Sequence, residues 1–75
     1  MIARKSLLSE LRRLGFSFEQ RTKRVEFWHK KGTTYRLPLP THVLFSEEAA
    51  RDILRLVGAF PADIDKFIQE HGMEK

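Results

Sequence analysis

The chain is 75 residues long and 41% of them are hydrophobic, which predicts one globular domain spanning residues 1–75. The absence of cysteine excludes disulfides and thiolate metal sites, and no apolar run reaches the length of a membrane span or resembles a signal peptide. We therefore expect a cytoplasmic protein with no metal, no other cofactor and no membrane segment.

The net charge of +4 conceals an asymmetry between the two halves of the chain. Residues 1–36 contain ten Lys or Arg against three Glu, whereas residues 37–75 contain four Lys or Arg against seven Asp or Glu. An uneven field of this kind on a small domain favours a polyanionic partner such as nucleic acid. A solvated basic surface without a ligand is the alternative.

The first predicted element is an amphipathic helix from Leu7 to Leu14. Leucines recur along it at the spacing that places them on one helix face, and the basic residues lie away from that stripe. Gly15 follows directly, where a left-handed C-terminal cap is expected. The pattern predicts a helix that packs on a core and turns its cations to solvent.

Apolar and polar residues alternate after this helix, which indicates three antiparallel strands within residues 16–37. Polar turns separate the strands. Pro38 and Pro40 are expected to end the third strand, because proline cannot donate to a strand ladder. Residues 39–45 are then predicted to form a loop.

A second helix is predicted from Glu47 to Val57, with Ser46 as its N-cap, and Pro61 opens a short third helix. The order of elements predicts the α+β class in the arrangement α-β-β-β-α-α. In this fold a small three-stranded antiparallel sheet carries two to three helices on one face. The opposite face of the sheet would be open.

Strand alternation also predicts which side chains lie on that open face, where a functional site is expected. Trp28 would lie there among cations, so it would stack on an unpaired base, anchor a protein partner, or cover sheet surface under basic side chains. The residues expected to face the helices are Val25, Phe27, Tyr35 and Leu37. The residues expected on the open face are Arg24, Glu26, Trp28, Lys30, Thr34 and Arg36.

Four short motifs, taken in order, resemble the HicA-type mRNA interferase toxins over residues 5–69. They are Leu-Arg-Arg-Leu-Gly-Phe at 11–16, aromatic-x-His-x-x-Gly at 27–32, Pro38, and Ile-Leu-Arg-Leu-Val-Gly at 53–58. The resemblance implies a fold like that of double-stranded-RNA-binding domains. It also implies messenger RNA as the substrate and a HicB-like antitoxin as the protein partner.

The sequence departs from this family at the catalytic position. The family histidine lies five residues before the one that matches His29, and Arg24 stands there in this chain. Arginine stays protonated at physiological pH, so Arg24 can hold a phosphate but cannot act as a base.

His29 and His42 are therefore the candidate catalytic residues, because RNA cleavage needs a group that exchanges protons near neutral pH. A structural role for His29 and an idle loop position for His42 are the alternatives. His29 is expected to point toward the helices. The residues predicted to bind RNA are Lys23, Arg24, Trp28, Lys30 and Arg36.

Two functional hypotheses share these features. The first is a HicA-like, toxin-type RNA-binding protein, either an mRNA endoribonuclease or a protein whose catalytic site is altered or lost. The second is a non-catalytic RNA- or protein-binding module on the same fold. The free protein is expected to be a monomer or a weak dimer, the dimer forming through an open sheet edge.

Overall fold

The computed structural model describes residues 1–72 and contains three helices and five strands within that range. Among these helices, none has the length and apolar character that crossing a bilayer requires. In chain order the elements are β1 Ile2–Ala3, α1 Arg4–Arg13, β2 Phe16–Arg21, β3 Val25–Lys30, β4 Arg36–Pro40, β5 Leu44–Phe45, α2 Glu47–Leu56 and α3 Pro61–His71.

Strands β2, β3 and β4 form one antiparallel sheet in that spatial order, so β2 and β4 are its edges. Phe18, Trp28 and Leu37 lie opposite one another across the middle of this sheet. The pairing of β2 with β3 is interrupted by a bulge at Glu19. The predicted α+β class and the order α-β-β-β-α-α of the main elements are confirmed.

A single hydrophobic core lies between this sheet and the helices, which cover only one of its faces. Each helix contributes the apolar stripe that its sequence predicts. The sheet contributes Phe16, Trp28, Leu37 and Leu39, and the helices contribute Leu7, Leu11, Ala50, Leu54, Ile64, Phe67 and Ile68.

The helix ends carry the start and stop signals that the sequence predicts. Gly15 follows α1 with a φ of +95°, a conformation that glycine adopts without strain. The hydroxyl oxygen of Ser46 accepts a hydrogen bond of 3.0 Å from the Ala49 N–H at the start of α2, and Pro61 opens α3. Helix α1 begins earlier than predicted, at Arg4.

Strand β4 lies later in the chain than predicted and runs through both prolines. Pro38 lies opposite Phe27, and Pro40 lies opposite Val25. Because β4 is an edge strand, it has a ladder on one side only, and a proline is tolerated where its nitrogen faces solvent. The prediction that the strand ends at Pro38 was wrong, whereas Pro40 is its last residue.

The small antiparallel sheet of β1 and β5 was not predicted. Ile2 pairs with Phe45, and Ala3 pairs with Leu44. Residues 39–45, which were expected to form a loop, instead contain the end of β4 and all of β5. Strands of two residues leave no periodic signal in a sequence, so only the tertiary structure reveals them.

The two faces of β3 are the reverse of the predicted ones. Trp28 is 2% exposed and Glu26 is 8% exposed, and both face the helices. Leu37, correctly expected to point inward, lies directly opposite Trp28 and shares its face. Alternation could not decide the matter, because this strand has large apolar side chains on both faces. The residues of β3 on the outer face are Val25, Phe27 and His29, all half-buried.

Candidate nucleic-acid interface

Four side chains of β2 and β3 form a square on the helix-covered face of the sheet, next to the C-terminal end of α1. Phe16 lies opposite Lys30, and Phe18 lies opposite Trp28. Side chains of directly opposed residues share a face of the sheet and lie about 5 Å apart at Cβ. Since β2 is an edge strand, no further strand covers the Phe18 side of this square.

Two aromatic rings at the border of the square are open to solvent. Phe18 is 52% exposed, and its ring stands edge-on to Trp28 with centroids 6.0 Å apart. Tyr35 is 37% exposed, and its ring stands edge-on to Phe16 at 5.9 Å. Each exposed ring is therefore held against a buried one, in the geometry that aromatic pairs prefer.

Three cations surround these rings. The Arg12 guanidinium lies 5.3 Å from the centroid of the Trp28 ring, and the Lys30 ammonium lies 6.0 Å from that of Phe16. The backbone N–H of Lys31 donates a 2.9 Å hydrogen bond to the Gly15 carbonyl, which places Lys31 beside the end of α1. We define the basic-aromatic patch as Arg12, Phe18, Lys30, Lys31 and Tyr35.

No residue of 1–72 forms an ion pair with Arg12, Lys30 or Lys31, in contrast to several other arginines of the chain. Arg13, the neighbour of Arg12, lies 2.6 Å from the Glu10 carboxylate, which raises the pKa of the Arg13 side chain. The positive charge of these three side chains is thus not compensated by an ion pair within residues 1–72. Such a surface attracts anions.

The turn that carries Lys31 has a defined local structure. Gly32 has a φ of +81°, which L side chains rarely adopt, so this position favours glycine. The Thr33 side chain donates to the Lys30 carbonyl at 3.0 Å and accepts from the Tyr35 N–H at 3.0 Å. These bonds connect Lys30 and Tyr35, two members of the patch, through one short turn.

A buried polar network supports the patch from beneath. The Trp28 indole N–H donates to the Glu26 carboxylate at 3.1 Å, and the Arg4 guanidinium lies 2.6 Å from the same oxygen. Arg21 approaches the other carboxylate oxygen at 3.7 Å. Arg4 also donates to the carbonyl of Pro40. The network therefore ties the start of α1 to β3 and to the end of β4.

The pKa of Glu26 reflects two opposed influences. Burial is the largest single influence and raises the pKa, because a carboxylate loses hydration in the interior. The hydrogen bonds from Trp28 and Arg4, with the charges of Arg4 and Arg21, together outweigh burial and leave the pKa below its ordinary value. Glu26 is thus held as a carboxylate.

The residues predicted to bind RNA do not lie in one place. Lys23 and Arg24 lie in the turn before β3, whereas Lys30 is its last residue, about 20 Å away at roughly 3.3 Å per residue. Arg36 lies on the outer face, where the Glu19 carboxylate binds it at 2.6 Å. Trp28 is 2% exposed and lies under Arg12, so of the three roles considered for it the structure favours packing beneath a basic side chain. Of the predicted set, Lys30 alone belongs to the basic-aromatic patch.

The two candidate catalytic histidines are also separated. His29 lies opposite Arg36 at the start of β4, while His42 follows Pro40 at the end of that strand, about 13 Å further along. The His29 ring is on the outer face, not toward the helices as expected, and its Nε2 donates to the Thr33 carbonyl. The His42 ring stands edge-on to Phe45.

Four members of the patch were absent from the predicted site. The sequence predicts Arg12 as a solvent-facing cation of the first helix and Lys31 as part of a polar turn. Phe18 and Tyr35 were each expected within a strand. The sequence signal that could have found them is the run of aromatics and cations on both sides of Gly15 and Gly32, but it becomes a site only through the pairing of β2 with β3.

Comparison of the chain with protein-family models, with curated proteins and with solved structures gave no match. Within residues 1–72, no group of three or more His, Asp or Glu side chains is arranged to hold a metal ion.

Proposed function

We propose that this protein is an RNA-binding protein that acts through the basic-aromatic patch and does not cleave the strand it binds. The observation that carries the proposal is a group of three cations, Arg12, Lys30 and Lys31, which have no ion pair among residues 1–72 and lie beside two exposed aromatic rings. The resemblance to HicA-type toxins supports RNA as the nucleic acid. If that resemblance holds, the protein keeps the fold of a HicA-type toxin and uses it to bind RNA.

Phosphate contacts would supply most of the affinity. Cations without protein partners are free to replace the counterions of a nucleic acid, and each phosphate contact on a single strand adds about 0.7 to the slope of log affinity against log salt. Three contacts from Arg12, Lys30 and Lys31 give an expected slope of about −2. A protein interface of apolar character would show no such dependence.

The placement of the histidines supports binding over cleavage. Cleavage through the 2′-hydroxyl is accelerated by a base and an acid held on either side of one phosphate. His29 and His42 lie at opposite ends of β4, and Arg24, at the position of the family histidine, cannot exchange protons near neutral pH. His29 and His42 are thus not placed to act as an acid and base on one phosphate.

The test is a binding and cleavage assay with one labelled messenger RNA. Wild type is expected to bind without shortening the RNA, and the variant with Lys30→Gln and Lys31→Gln is expected to bind at least about tenfold more weakly. Lys5→Gln combined with Lys66→Gln is the matched control, because it also removes two charges, and both are exposed lysines without an ion pair to residues 1–72. Equal loss in the control would contradict the assignment of the patch.

Cleavage is examined in the same assay with His29→Ala, His42→Ala and Arg24→His. Cleavage by wild type that one alanine variant abolishes would make the protein a ribonuclease with a relocated histidine, against the proposal. Activity that emerges only with Arg24→His would support a scaffold that kept its fold and lost its catalytic group.

A second candidate function, binding of a protein partner, is favoured by the outer face of the same sheet. Two apolar pairs, Val25 with Pro40 and Phe27 with Pro38, lie side by side there, and none of the described elements covers them. In terms of the resemblance, a HicB-like antitoxin is the expected partner. A pull-down with a HicB-like protein, comparing wild type with Phe27→Ser, would test it, and unchanged capture by the variant would remove this face from consideration.

A further inference from the structure

The exposed rings of the basic-aromatic patch favour one form of RNA as the ligand over another. Phe18 is 52% exposed although its neighbours Phe16 and Trp28 are 3% and 2% exposed. A large apolar ring left open beside a filled core has lost the stabilisation that burial would give it. Exposure alone does not mark a ligand site, because Phe60 is 74% exposed; Phe18 differs in lying beside Arg12 and Lys30, cations that have no ion pair among residues 1–72.

The Phe18 ring is also held in place before any ligand arrives. It stands edge-on to the Trp28 ring at an interplanar angle of 80°, and Trp28 itself is fixed by Arg12 above it and by its hydrogen bond to Glu26. A ring fixed in this way loses little conformational entropy when a ligand stacks on it. Since β2 is an edge strand, one side of the ring is open to solvent.

Tyr35 provides a second open ring on the other side of Lys30. The backbones that carry Phe18 and Tyr35 are two strand spacings apart across the sheet and two residues apart along it, about 12 Å in all, and Trp28 and Lys30 lie between them. An RNA strand that crosses the patch would contact the Phe18 ring, the Lys30 ammonium and the Tyr35 ring in succession. Aromatic rings alternating with cations are the arrangement by which single strands are bound without sequence preference.

Base faces are available to a protein ring only where the bases are unpaired, because in a duplex each face is covered by its stacked neighbour. We propose that the ligand is a single-stranded segment of RNA, with one unpaired base stacked on Phe18 and its flanking phosphates on Arg12 and Lys30. This inference rests on the proposed RNA-binding function and adds the form of the ligand. Duplex RNA could use the cations but not the ring.

The test measures the affinity of a short unstructured RNA and of the duplex made with its complement, using the fluorescence of the sole tryptophan, Trp28, or a labelled strand. Wild type is expected to bind the single strand at least about tenfold more tightly than the duplex. Phe18→Ala is expected to lose about tenfold for the single strand and to leave duplex binding unchanged.

Two further variants make the result decisive. Phe18→Leu keeps an apolar contact on Trp28 without an aromatic face, and it is expected to lose affinity as Phe18→Ala does, even if the alanine variant folds poorly. Phe60→Ala removes a phenyl ring that is 74% exposed elsewhere on the protein, at the start of α3, and should change nothing.

The outcomes separate this inference from the function on which it rests. Equal binding of single strand and duplex, with Phe18→Ala no weaker than Phe60→Ala but Lys30→Gln impaired, would overturn the inference and leave RNA binding intact. Absence of binding to either form of RNA would overturn the proposed function and the inference together.

Discussion

The two faces of the three-stranded sheet differ more than the alternation of their residues suggests. On the face toward the helices, charge and aromatic surface are organised: Glu26 is held between Arg4 and Trp28, and Arg12 and Lys30 remain without acidic partners among residues 1–72. On the outer face, the one prominent cation of the described residues, Arg36, is bound by Glu19 and lies over the Phe27 ring at 4.9 Å.

The difference shows that exposure of a cation is not enough to indicate a site for a polyanion. Arg36 is exposed and basic, yet its charge is compensated within the protein. Arg12, Lys30 and Lys31 surround a cluster of rings at the end of α1, and none of the three has an ion pair within residues 1–72. Four predictions test this contrast between the faces, in order from the largest expected effect to the smallest.

Trp28→Ala should be the most damaging change in the sheet. Trp28 is 2% exposed in the core, so its loss is expected to lower the free energy of unfolding by about 4 kcal/mol. Phe27→Ala, one residue away on the outer face, is expected to cost less than half as much. Urea denaturation followed by circular dichroism gives both values, with Trp28→Phe as the substitute if the alanine variant does not fold. Equal costs would contradict the assignment of the two faces.

Glu26→Gln compares the two carboxylates that bind arginine on opposite faces. Removing the charge of Glu26 leaves the Arg4 side chain, which is 16% exposed, without its ionic partner, and is expected to cost about 2 kcal/mol of stability. Glu19→Gln breaks the exposed pair with Arg36 and is expected to cost less than about 1 kcal/mol. Denaturation of the two variants in parallel measures the difference. A cost for Glu19→Gln as large as that for Glu26→Gln would go against the buried network.

Lys30→Gln combined with Lys31→Gln should reduce the salt dependence of RNA binding as well as the affinity. The slope of log affinity against log salt is expected to fall by about 1.4, since each lost phosphate contact on a single strand removes about 0.7. Arg36→Gln on the outer face should leave the slope as in wild type. Salt titrations of the three proteins test this, and a reduced slope for Arg36→Gln would place the RNA on the outer face instead.

Protonation of Glu26 in acid should lower the free energy of unfolding, and this loss should be smaller than the loss caused by Glu26→Gln. The pKa of Glu26 is lower in the folded protein than its ordinary value, so folding favours the carboxylate. Its contribution to stability is therefore fully present above the ordinary pKa of a glutamate and is lost as the pH falls through the lower, folded pKa. Melting temperatures between neutral and strongly acidic pH should fall less in Glu26→Gln than in wild type. Parallel curves for the two proteins would exclude this role.

Much of the fold could be predicted because its signals are local. The leucine stripe before Gly15, the Ser46 cap and the proline at the start of α3 each act within a few residues, and all three are confirmed. Two features depend on position within the sheet and could not be inferred in this way. The prolines of β4 are tolerated because that strand is an edge, and β1 and β5 exist only because they pair with each other.

The candidate site was harder to predict, because it depends on register. The segment from Val25 to Lys30 has apolar side chains on both faces, and the choice between them is made by the pairing of Trp28 with Leu37. A buried Glu26 also has no local signal, since its partner Arg4 lies at the start of a different element. Once the register is known, Phe18 and Lys30 come together and Arg24 and Arg36 separate from them.

The most direct measurement follows the side-chain resonances of both faces by NMR while a short single-stranded RNA is added to the protein. We expect the ring signals of Phe18 and Tyr35 and the indole N–H of Trp28 to shift and saturate together, while those of Phe27 and His29 stay in place. Shifts confined to Phe27 and His29, or no shift on either face, would contradict the assignment of the basic-aromatic patch as an RNA-binding surface.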